Sequence, residues 1–231
     1  MFKARIFTLY PELFPGPFSV GLFGKALKEK IWELQKVNIR DYATDKHKSV
    51  DDTPYGGGSG MLMRPDILSN AIENNIKEPE KIIYLSPKGK LFNHEIAKDL
   101  SNQKVVNLIC GHFEGIDERV LEKKKIEEIS IGDFILSGGE TAAYAILDAT
   151  LRFIPGILGN KNSTEDESFE NGLLEYPQFT KPQIWQEMKV PFFISIEISA
   201  NLKFKFLVSI FFLRGISSQF NLPTPIFVST I

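Results

Sequence analysis

Three apolar runs, residues 81–85 (KIIYL), 105–110 (VVNLIC) and 129–136 (ISIGDFIL), lead straight into glycine-rich turns: YLSPKG at 84–89, CGHFEG at 110–115 and SIGDFILSGGE at 130–140. A strand that is apolar throughout, without alternation, is buried on both faces, as in a parallel sheet with helices on either side. Glycines at successive strand ends let bare backbone close around a small ligand, and open α/β sheets bind ligands at those carboxyl ends. The pattern predicts an α/β fold in which three turns converge on one pocket; a set of plain tight turns is the alternative.

The rest of the chain fits that scheme. Residues 4–9 read as a short buried strand stopped at Pro11, and the Phe- and Gly-rich 14–23 leads into a helix over 24–34. A second strand is expected at 37–40, helices at 67–75, 94–100 and 140–153, and a linker or mobile loop over the aperiodic 160–175. Residues 41–64, with GGGSG at 56–60, are polar and too long for a casual connection, which marks a functional loop. A net charge of −2 weighs against a uniformly basic surface while leaving room for a local basic groove. The single cysteine, Cys110, excludes an internal disulfide and reads as a small buried hydrophobe in a reducing compartment. The N-terminus is broken by charge and proline, unlike a signal peptide, and no apolar run approaches the roughly 18 residues that span a bilayer, so the cytoplasm is expected.

Several chemistries find no support. No Gly-Lys-Ser/Thr follows GGGSG, no G-x-G-x-x-G follows a strand, and Ser137 lacks the G-x-S-x-G setting of a nucleophile. The three histidines, His47, His94 and His112, lack metal spacing. Two constellations remain beside the three turns. Residues 45–61 join Asp51 and Asp52 to Lys46, His47 and Lys48, a set suited to a nucleobase and its phosphates or to a solvated loop. Arg152, with Glu165, Asp166 and Glu167, could pair a base with a cation that stabilises a developing anion; a solvent-facing acidic loop is the bland counterpart.

Taken together, FTLYPELF, DKHKSVDDTPYGGGSGMLM, YLSPKGK, LICGHFEGIDERV, EEISIGDFILSGGE, RFIPGILG and ESFENGLLEYPQFTKP resemble the bacterial tRNA (guanine-N1)-methyltransferases of the knotted SPOUT class, over about residues 2–191. The resemblance implies a parallel sheet flanked by helices with a deep trefoil knot, an exception to unknotted connectivity. It implies S-adenosylmethionine bound by the three turns: by Tyr84, Leu85, Ser86 and Pro87 from the first, and by Gly111, Phe113, Glu114 and Gly115 from the second. The third contributes Ser130, Ile131, Gly132, Phe134, Leu136, Gly138 and Gly139. The same likeness makes Glu167 the base that takes the N1 proton of the guanine 3′ of the anticodon (guanosine-37), with Asp166 as the alternative. Arg152 stabilises charge on O6, and His47, Asp51, Gly60 and Ser163 lie near the target base. It further implies a homodimer whose active sites combine both chains, tRNA as partner, no membrane association, and a need for Mg²⁺ that no ligand pattern here places.

Departures from the family pattern are informative. Its CGRYEG reads CGHFEG, so an arginine is replaced by His112 and a tyrosine by Phe113, and a second tyrosine by Phe134. After Val190-Pro191 the family's basic helical segment is absent. Residues 192–231 hold four charged residues, Glu197, Lys203, Lys205 and Arg214, and eight of the 19 phenylalanines, and read as a frameshifted ending. The expected organisation is a catalytic domain over 1–159, a linker over 160–175 and a remnant of a tRNA-binding domain over 176–231, atypical from 192. The competing readings are a weakened or inactive paralogue with an intact cofactor pocket, and a knotted methyltransferase acting on another RNA.

Overall fold

The computed structural model describes residues 1–77, 79–158 and 178–191, and the chain divides into two units, Met1–Glu170 and Asn171–Ile231. The first is built on a five-stranded sheet in the order β2-β1-β6-β5-β7. Its strands are β1 (Phe2–Thr8), β2 (Trp32–Asn38), β5 (Lys81–Leu91), β6 (Val105–Cys110) and β7 (Glu127–Ser130), and every pairing is parallel. Five helices accompany them: α1 (Gly21–Lys28), α2 (Pro65–Asn75), α3 (His94–Ser101), α4 (Glu118–Lys124) and α5 (Glu140–Leu151). A small antiparallel hairpin, β3 (Asp51–Asp52) with β4 (Leu62–Met63), closes the long polar loop. In the second unit, β8 (Ile184–Trp185) pairs antiparallel with β9 (Met188–Lys189). Among the described residues no helix is long and apolar enough to cross a membrane.

The first two apolar runs, 81–85 and 105–110, are buried on both sheet faces, as expected, whereas Phe134, Ile135 and Leu136 of the third are exposed. Ala4, Ile6, Val106, Leu108 and Cys110 join one core with Ala143, Ile146, Leu147 and Leu151 of α5. Phe7, Ile82, Tyr84 and Ile109 face the other way, against Ile67, Leu68 and Ile72 of α2 and Val120 and Leu121 of α4. Each buried Val, Leu, Ile or Phe among them contributes about 1.5–3 kcal/mol, so the two cores fix the sheet and leave its carboxyl edge to the turns.

Element boundaries differ from expectation in four places, one of them β5, which was expected over 81–85 and runs on to Leu91 through a register shift against β7. The first helix ends at Lys28 rather than continuing to 34, because Lys30 turns left-handed (φ 57°) and the Ile31 N–H donates to the Ala26 carbonyl at 2.9 Å. The chain is a strand again from Trp32, five residues earlier than expected, since Trp32 fits an aromatic pocket against Phe18 at 5.6 Å between ring centroids. The third apolar run is a strand only to Ser130, where Gly132 (φ 153°) breaks away from the sheet. Helix α4 had no counterpart among the expected elements. It is short and mostly charged, and is held by Asp117, whose side chain accepts from the Arg119 N–H at 2.9 Å, and by a left-handed exit at Lys125.

Candidate active site

All three glycine-rich turns meet at the carboxyl edge of the sheet. Residues 86–89 form a bulge inside β5, where the β7 register jumps between Leu85 and Lys90. The bulge directs Ser86 and Pro87 away from the sheet. A Cβ on Gly89 would lie 2.4 Å from the backbone of Glu128 and Ile129, so only glycine allows that crossing. Residues 112–115 make a tight turn closed by the Gly115 N–H on the His112 carbonyl at 3.1 Å, with Phe113 left-handed at φ 58°. A non-glycine residue in that region costs about 1–3 kcal/mol, and such strain concentrates at functional sites. After β7 the chain bends through Gly132 and returns to the second turn, where the Gly139 N–H donates to the Gly111 carbonyl at 3.0 Å.

These turns enclose a cavity of about 300 Å³, at the lower end for small-molecule pockets. All fifteen residues carried over as cofactor contacts line it, from Tyr84–Pro87, from 111–115 and from 130–139. The lining also includes His112, Ile129, Ile135, Ser137 and Ala142. Much of the wall is backbone that side chains would fill: a Cβ on Gly111 would sit 2.5 Å from the Tyr84 ring, and one on Gly139 only 2.7 Å from the Cys110 Cα. Burial pushes the Tyr84 hydroxyl up to about 12, with Glu128 and Glu118 adding to the shift, so it stays a neutral donor. Cys110 is fully buried, and burial with the neighbouring Glu140 charge raises its thiol well above the ordinary range, leaving it an inert hydrophobe.

A second cavity of about 450 Å³ adjoins the first and shares Tyr84, Ser86, Pro87, Glu114 and Gly115 with it. Pro54, Tyr55 and Leu62 of the long polar loop form its far side. That loop is stitched to the turn that lines both cavities: the Glu114 N–H donates to the Met61 carbonyl and the Met63 N–H to the Gly115 carbonyl, both at 2.9 Å. Gly60, left-handed at φ 86°, lies so close to Glu114 that a Cβ would meet its side chain at 2.4 Å. Nothing in the linear sequence signalled this stitching, because its bonds join residues about fifty positions apart.

The remaining carried-over residues are more dispersed. Asp51 pairs with Met63 in the small hairpin, and His47 is exposed, its N–H donating to the Asp45 carboxylate at 3.1 Å. Neither lines the first cavity. Arg152 is exposed at the C-terminal end of α5, whose opposite end touches the cavity. Twelve residues of α-helix span about 18 Å, so within one chain Arg152 is far from this cavity. Asp166, Glu167 and Ser163 lie outside the described residues, as does the unusual ending from 192. Among the described residues no cluster of three His, Cys, Asp or Glu side chains is placed to hold a metal ion, so none of them marks a site for Mg²⁺.

The family model for tRNA (Guanine-1)-methyltransferase TrmD matches residues 2–201. A tRNA (guanine-N(1)-)-methyltransferase of Pelagibacter ubique is 64% identical over 191 residues, covering 83% of this chain and 84% of that protein. Proteins of the same name from Bartonella henselae (52% over 190 residues, 82% of each chain) and Wolbachia pipientis (50% over 194 residues, 82% of this chain and 84% of the other) are also similar. With the match running over most of its length, the chain belongs to the tRNA (Guanine-1)-methyltransferase TrmD family.

Proposed function

We propose that the protein methylates N1 of the guanine 3′ of the anticodon in tRNA, using S-adenosylmethionine. The observation that carries this reading is the pairing of two cavities: a donor pocket lined by the three turns, and beside it a space between residues 84–88 and 114–121 that Pro54, Tyr55 and Leu62 of the polar loop border, which suits a nucleobase. When bound, S-adenosylmethionine supplies a sulfonium methyl, and the N1–methyl bond forms as the sulfur–methyl bond breaks, its electron pair staying on sulfur. The chain's own groups do the rest. Glu167, or Asp166 beside it, accepts the N1 proton, and Arg152 neutralises the charge that gathers on O6. The wall combines the neutral Tyr84 hydroxyl with one carboxylate, Glu114, so that most of its contacts to the donor are uncharged.

The distance between Arg152 and the donor wall supports a homodimer in which Arg152 of one protomer serves the cavity of the other. The close passage of residues 130–139 against Cys110 and Gly111 supports a trefoil knot at this edge. In this reading residues 1–159 are the catalytic domain, 160–175 the interdomain segment and 176–231 a remnant of a tRNA-binding domain, all acting in the cytoplasm. Mg²⁺ is part of the family expectation alone and enters no step.

The test is methyl transfer from labelled S-adenosylmethionine to a tRNA transcript carrying guanine 3′ of the anticodon, with an adenine transcript as control. Guanine-dependent labelling by the full chain is expected. Cofactor binding with no labelling of either transcript would sink the activity and leave the inactive-paralogue reading.

A further inference from the structure

The donor wall contains a buried polar circuit that no carried-over contact explains. Glu140, the first residue of α5, is only 5% exposed. Its carboxylate accepts from the Thr8 hydroxyl at 2.5 Å, and both its oxygens lie 2.9 Å from His112 Nε2. Thr8 also accepts the Tyr10 N–H at 2.9 Å, and the Tyr10 ring meets His112 edge-on, 5.0 Å between centroids. The circuit therefore ties the end of β1, the turn after β6 and the start of α5 into one unit. Gly138 lies directly beneath it: a Cβ there would fall 2.2 Å from His112 Cε1 and 2.7 Å from a Glu140 oxygen.

We propose that His112 is a positioning residue for the methyl-donor cavity, clamping the Gly138-Gly139 turn against Gly111 through Glu140, and clamping it most firmly when the imidazole is charged. The inference rests on the donor-pocket reading above. A carboxylate this buried needs charge-assisted partners, and of its two protein partners only His112 can supply a positive charge. The groups around the pair are few. Glu140 faces His112 from α5, Tyr10 from the loop after β1 and the Phe113 ring from its own turn, while the Cys110 thiol and Tyr144 phenol lie near Glu140. Burial and the Glu140 charge raise both the thiol and the phenol, the thiol adding to the rise of the phenol, so neither changes charge near neutrality.

The test measures binding of S-adenosylhomocysteine to the full chain by calorimetry across the range in which histidine titrates. The wild type is expected to lose about fivefold in affinity from the acidic to the alkaline end, the difference between a charge-assisted and a neutral hydrogen bond. His112→Gln keeps a neutral donor in the same place and should be weaker and flat with pH. His112→Ala leaves Glu140 short of a donor and should lose about tenfold at both ends. In turnover, KM for the donor should rise more than kcat falls. If His112→Ala fails to fold, His112→Gln still decides the matter, because it retains every other titrating group. A pH profile shared by wild type and His112→Gln overturns this inference alone; absence of binding by the wild type overturns the donor-pocket reading and this inference with it.

Discussion

Replacing Gly139 by alanine tests whether the donor wall depends on backbone-to-backbone contact. Gly139 has ordinary helical dihedrals (φ −78°, ψ −8°), so alanine meets no conformational barrier there. Through the unfolded chain alone the substitution would stabilise by about 0.4–1 kcal/mol. The added Cβ, however, meets the Cys110 Cα at 2.7 Å, about 0.7 Å short of ordinary contact, and Gly111 N at 3.1 Å. Those atoms are main chain held in the sheet, with no side chain to swing aside. Overpacking of this kind costs about 1–3 kcal/mol, which leaves a net loss of up to about 2.6 kcal/mol once the entropic gain is subtracted. For a chain of this length that lowers Tm by up to about 10 °C. Donor affinity should fall with it, because relief of the contact moves the turn that lines the pocket. Gly156→Ala is the control: its left-handed φ of 89° makes alanine strained, but its nearest neighbour is 3.7 Å away and outside the cavity. It should lower Tm and leave donor affinity unchanged. Scanning fluorimetry and calorimetry on the two variants decide the question. A Gly139→Ala protein with raised Tm and intact affinity would refute the close-approach reasoning.

Arg152→Ala should abolish most turnover with donor affinity retained. Co-expressing it with a donor-pocket variant such as Gly111→Ala should restore about a quarter of wild-type activity through mixed dimers, since random pairing gives half heterodimers with one complete site each; no restoration would place Arg152 in its own protomer's site. Single-turnover rates of Glu167→Ala and Asp166→Ala identify the base: activity retained in the first and lost in the second would transfer the role to Asp166. Tyr84, raised to about 12 from an ordinary phenol value of 10.0, holds its proton in the folded state after the unfolded chain has lost it. Its contribution to stability is therefore complete below about pH 10 and disappears as pH climbs towards 12. Ultraviolet titration should show a late-ionising tyrosine that vanishes in Tyr84→Phe.

The sheet was readable from the chain because two-sided burial leaves a continuous apolar signature: the strand 105–110 was located to the residue. Strand β2 was harder. WELQKVN mixes Trp32 and Val37, both buried, with polar residues between, a pattern that a helical period fits nearly as well. Helix α4 escaped because ERVLEKK shows only Val120 and Leu121 to the core. The pocket-lining turns were legible as glycine clusters, whereas the seam between 61–63 and 114–115 and the link from Thr8 through Glu140 to His112 depend on pairings that no local pattern records.

A pocket walled by main chain is specified at the positions that carry no side chain. Gly89, Gly111, Gly138 and Gly139 leave no room for a Cβ, so even the smallest change at these places alters the shape of the site. The aromatic rim is under a looser constraint: Phe113 and Phe134 are 48% and 53% exposed, and either ring can lose or gain a hydroxyl without displacing an interior atom. Exchange of phenylalanine for tyrosine at residues 113 and 134 should therefore be tolerated where even alanine at the four glycines is not, while the large but enclosed side chains of Tyr84 and His112 are held as tightly as the glycines.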